Sequence, residues 1–64
     1  MNKLKGYLAM AGYTQTDIAK WIGVSRTVVN ICISREAFKE SEKTIIFEKL
    51  KEKIPNISIQ DLWK

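Results

Sequence analysis

The sequence predicts an all-α fold, a compact domain of five short helices, and three observations carry that expectation. Helix-start signals recur along the chain, at Thr14, Ser25 and Ser58, each ahead of apolar residues three and four apart. Strand signals are weak. The run from Val28 to Ile33 is rich in β-branched residues, but it follows a capping serine and lacks clean alternation. With 64 residues, the chain is expected to form one domain over residues 1–64, and such a domain buries only about 60% of the surface its unfolded form exposes, so its core must be local.

The first helix is expected over residues 3–11, where Leu4, Tyr7, Leu8 and Ala11 share a face and Gly12 stops the run. The second opens on Thr14 with Asp17 three residues on, the spacing of a capping box, while Tyr13 and Ile18 have the spacing of a hydrophobic staple. It ends at Ile22, and Gly23 provides the residue that can take positive φ in a tight turn. Ser25 then caps a third helix at once, with Val24 and Val29 spaced as a staple. The fourth is expected over residues 41–54, because Pro55 disfavours helix in the residue before it and cannot donate the next hydrogen bond. A second box, Ser58 with Asp61, and a second staple, Ile57 with Leu62, open the fifth.

Composition narrows the chemistry. Eleven Lys and Arg against seven Asp and Glu give a net charge of +4, which suits a polyanionic partner. The lone Cys32 cannot form an intrachain disulfide, and without histidine the usual zinc and iron ligand sets cannot be assembled. Cys32 reads as a small buried hydrophobe. No metal, cofactor or small-molecule ligand is expected. No apolar run nears the ~20 residues of a membrane span, and no signal peptide opens the chain, so a reducing cytoplasm is the expected location. An enzyme is a poor fit: there is no glycine-rich phosphate loop and no nucleophile beside a plausible base.

The stretch over residues 14–34 reads as a unit. Two helices joined by about three residues must cross steeply, which requires a small residue at the crossing, and Ala19 lies one turn before Gly23. Ile18, Ile22, Val24, Val29 and Cys32 have the positions needed to fill the angle between them. That is the arrangement of a helix-turn-helix, whose second helix lies in a DNA major groove.

Here the chain resembles a known family. Gln15, Ile18, Ala19, Ile22, Gly23, Val24, Ser25, Val29 and Cys32 match the helix-turn-helix pattern of the Cro and C-repressor, or XRE, type of phage and bacterial regulators. The likeness extends to Tyr13-Thr14-Gln15 and to the closing run from Ile57 to Trp63, which look like that family's first and fifth helices. It is weakest between Arg35 and Glu40, where the family often has an Asn-Gly turn, and around Pro55. The resemblance implies a lambda-repressor-like, Cro-like domain that binds a palindromic operator in double-stranded DNA as a homodimer. Because the sequence stops at Lys64, no ligand-sensing or self-cleaving second domain is expected unless the chain is part of a longer protein.

The third helix divides into faces. Val29, Cys32 and Ile33, together with Val28, are expected to face inward, leaving Arg26, Thr27, Asn30, Ile31 and Ser34 outside. Arginine can bond guanine bidentately, asparagine can bond adenine, and a threonine methyl or isoleucine can pack on the thymine methyl. By resemblance, Arg26, Thr27, Asn30 and Ile31 match base-reading positions, although Ile31 serves equally well in a core or interface. Thr14, Gln15, Ser25, Ser34, Arg35, Lys39 and Lys43 are candidates for phosphate contact. Acids interleave the last three as Glu36, Glu40 and Glu42, so an ordinary solvated surface is their competing role; Lys49, Lys51 and Lys53 are expected to face solvent. Trp21, Phe38 and Phe47 belong to the core or its rim. Ile59, Leu62 and Trp63 form an apolar stripe expected either to pack on the domain's own core or to pair with a second copy, and the resemblance implies the pairing. The competing reading is a protein-interaction module, antirepressor-like, that reuses the fold; the apolar character of the third helix supports it.

Overall fold

Five helices follow one another in the computed structural model, which describes residues 3–63: α1 (Leu4–Ala11), α2 (Gln15–Ile22), α3 (Arg26–Arg35), α4 (Glu40–Lys53) and α5 (Ile59–Trp63). No strand occurs among the described residues. The boundaries of α1 and α4 fall within a residue of the expected ones, the ordinary scatter of helix ends.

One device ends three successive helices. Gly12 at φ 80°, Gly23 at φ 73° and Glu36 at φ 52° are all left-handed. After α1, the Tyr13 N–H reaches back 2.9 Å to the Leu8 carbonyl. After α2, the Gly23 and Val24 N–H groups both reach the Ala19 carbonyl, at 2.9 and 3.1 Å. The Glu36 and Ala37 N–H groups treat the Cys32 carbonyl the same way, the latter at 3.0 Å. Each return satisfies a carbonyl that the helix end leaves without a partner and turns the chain sharply. The path after α3 is thus closed by a glutamate in the conformation glycine favours.

The helix starts are equally local. At α2 the Thr14 N–H donates to Asp17 Oδ2 at 2.8 Å and the Asp17 N–H to Thr14 Oγ1 at 3.4 Å, a complete capping box. Ser25 Oγ accepts from the Val28 N–H at 3.2 Å. Lys39 has no acceptor to offer, so α4 carries half a box, Lys39 N–H to Glu42 Oε1 at 2.9 Å. At α5 the Ser58 N–H donates to Asp61 Oδ2 at 2.9 Å. This bond, and after it the Ser58 hydroxyl, hold the Asp61 carboxyl below its ordinary pKa.

α4 is the longest element and organises the core. It packs against α1, α2 and α5, while α2 also packs against α3. Leu4 and Leu8 come from α1, Ile18 and Ala19 from α2, Val29 and Ile33 from α3, Ile46 and Leu50 from α4; all are buried. Phe38 and Ile57 enter from the connections on either side of α4, and Leu62 from α5. Each large aliphatic side chain taken fully from water contributes about 1.5–3 kcal/mol. At the rim, Tyr13 and Trp21 meet edge to face, with ring centres 4.7 Å apart.

One expectation is corrected, and for Leu62 one open alternative is decided. Val28 does not face inward: it is 42% exposed. Val29 and Ile33, four apart, fix the inward direction of α3, and a helix turns about 100° per residue, so the residue before Val29 swings out sideways. The C-terminal stripe also divides. Leu62 is only 6% exposed, inserted in the chain's own core, whereas Ile59 is 50% exposed. Trp63 is half-buried against Phe38, with ring centres 5.8 Å apart, and Lys43 Nζ lies 5.8 Å from the indole centre. Leu62 therefore offers no surface to a second copy.

Candidate functional site

Capping by Ser25 and burial of Val29 and Ile33 fix how α3 presents its remaining residues. Arg26, Thr27, Asn30, Ile31, Ser34 and Arg35 are all exposed. Gln15, half-buried at the first position of α2, faces the start of α3. Together Gln15, Arg26, Thr27 and Asn30 line an open concavity of about 450 Å³. The turn between the helices, Gly23-Val24-Ser25, is short, and its Ala19 carbonyl anchor brings these residues of two helices to one surface.

The electrostatics of the helix starts separate α3 from its neighbours. α2 carries Asp17 in its first turn, α4 carries Glu40 and Glu42, and α5 carries Asp61; α3, like α1, carries no acid there. Its free N–H groups and positive macrodipole end are therefore not neutralised locally, and Arg26 adds a charge there. Arg35 lies at the other end, and no Asp or Glu occurs between them. Neither arginine forms an ion pair among the described residues.

The candidate phosphate contacts fare unequally. Gln15 belongs to the concavity, and Thr14 adjoins it, but the Thr14 N–H and hydroxyl both point to Asp17, the hydroxyl at 3.3 Å. Ser25 is exposed while accepting the cap bond. Ser34 and Arg35 are exposed at the end of α3. Lys39 is exposed, yet the Glu42 carboxylate lies against its backbone. Lys43 is drawn inward: its ammonium is 3.8 Å from Glu40 and over Trp63, and its side chain is 25% exposed.

The chain matches no family model, no curated protein and no solved structure. The likeness to the Cro and C-repressor family rests on the residues quoted above. Among the described residues no cluster of His, Cys, Asp and Glu could hold a metal ion, and no helix is long and apolar enough to cross a membrane.

Sequence reasoning missed one member of this surface, Val28. The signal was present: with Val29 and Ile33 taken as the inward pair, position 28 falls outside the buried arc, next to Ile31 one turn on.

Proposed function

We propose that this chain is a sequence-specific DNA-binding regulator of the Cro-like type, inserting α3 into the major groove of a duplex operator. The observation that carries the reading is the concavity of Gln15, Arg26, Thr27 and Asn30 at a helix start without carboxylates. Its residue types are those that bond purine edges and phosphates, and its local charge favours an anion. The net charge of +4 acts in the same direction at longer range.

In this reading Arg26, Thr27 and Asn30 read bases, while Gln15, Ser34 and Arg35 hold the backbone on either side. One short helix covers too few base pairs to mark a site in a genome. A second copy therefore reads a related half-site, with centres about 34 Å or 10 base pairs apart. Ile59 and the open side of Trp63 remain available to join the copies.

Selection of bound sequences from a random duplex pool, repeated across salt concentrations, tests the reading. A palindromic motif is expected. Arg26→Ala should relax preference at one position of each half-site, at about 1–3 kcal/mol. Arg35→Ala should weaken all duplexes alike and lower the salt slope by about 0.9. Failure of any sequence to enrich would sink the DNA reading and favour a protein-interaction module, the reading to which exposed Val28 and Ile31 lend support.

A further inference from the structure

The exposed side of α3 has two unlike edges. Arg26, Thr27 and Asn30 form a polar edge beside Gln15 of α2. Val28 and Ile31, three apart and therefore neighbours on the helix surface, form an apolar edge, 42% and 48% exposed. Half-buried Cys32 adjoins it from the core side.

Building on the DNA reading, we infer that Val28 and Ile31 are specificity-determining residues that pack on thymine C5 methyl groups, so that the half-site carries thymine beneath the apolar edge. A helix about 10–12 Å across fills a major groove about 12 Å wide, so both of its edges meet base edges and little water remains between. Under the polar edge, donors and acceptors of the bases find partners. Val28 and Ile31 offer no hydrogen bond, so any base group desolvated beneath them loses its bond to water, and only a step with an apolar group offsets that loss. The thymine methyl is the one apolar group the major groove offers. Charge also favours DNA as the occupant, because Arg26 and Arg35 stand at the two ends of α3 with no acid between them. Two half-exposed aliphatic side chains, by contrast, supply only a small part of the ~800 Å² per partner of a standard protein interface.

The test starts from the duplex selected from the random pool and replaces each thymine singly by uracil, which removes only the methyl. Binding should weaken about fourfold for each methyl packed on the protein, and one or two of the sensitive steps per half-site should depend on Val28 or Ile31. Ile31→Ala should abolish the difference at one of those steps. Arg26→Ala should lower affinity and leave the difference intact. Both side chains are exposed, so circular dichroism of the variants should match the parent. Specific binding indifferent to every uracil would overturn the inference and leave the DNA reading standing, whereas absence of specific binding would remove the reading itself. A change in the sedimentation of the free protein on Val28→Ala or Ile31→Ala would identify the edge as a protein contact and equally overturn the inference.

Discussion

Replacing Glu36 with glycine should stabilise this protein. Glu36 has φ 52°, and the left-handed region costs a residue with a Cβ roughly 1–2 kcal/mol. Glycine escapes that cost but gains freedom in the unfolded chain, an opposing effect of about 0.4–1 kcal/mol. The carboxylate also stands at the negative end of the α3 dipole, where its removal returns about 0.3–1 kcal/mol. The net expectation for Glu36→Gly is a gain of about 1 kcal/mol, or roughly 4–8 °C in Tm for a domain of this size. Glu36→Ala separates the contributions, since it removes the charge and keeps the Cβ. The mirror change, Gly23→Ala at φ 73°, meets no atom within 4 Å of the added carbon, so its expected loss of about 1 kcal/mol is conformational alone. Urea titrations followed by circular dichroism measure all three variants. If Glu36→Gly proved no more stable than Glu36→Ala, the left-handed backbone would not be the cost assigned to it.

Two further outcomes follow from α5. Because Asp61 has a depressed pKa in the folded protein, its cap contributes stability above the ordinary carboxylate pKa and loses it as pH falls through the lowered value. The stability gap between the parent and Asp61→Asn should therefore be full at neutral pH and close in acid; a gap unchanged down to strongly acidic pH would contradict the assignment. Trp63→Ala should cost about 2 kcal/mol through lost contact with Phe38 and Lys43. Unaltered stability with weakened self-association in sedimentation would instead make Trp63 an interface residue.

The elements were legible because their ends are written locally. Thr14 with Asp17, Ser25, Gly12, Gly23 and Pro55 each act within a few residues of themselves, and each marks a boundary that the structure keeps. Glu36 was illegible for the converse reason. Nothing in glutamate announces positive φ; the chain turns at Glu36 two residues before buried Phe38, and that burial is not local to Glu36. Leu62 and Ile59 show a similar boundary of inference. A short apolar stripe does not say which side is inward until α4 packs on α5, and that contact is non-local. At the candidate site, Arg26, Thr27 and Asn30 were readable from the inward pair Val29 and Ile33. Their grouping with Gln15 depended on the crossing of α2 and α3.

The division of α3 into buried and exposed positions has a consequence for descent. Val29 and Ile33 hold the helix to the core, while Arg26, Thr27, Asn30 and Ile31 are exposed and bear little of the fold. Substitutions at such surface positions usually shift stability by within ±0.5 kcal/mol. Stability alone therefore constrains the outer residues little and the inner pair strongly. On the proposed DNA reading, two descendants of this chain could share a scaffold almost unaltered and yet no longer compete for the same target, a route to new specificity that never passes through an unfolded ancestor.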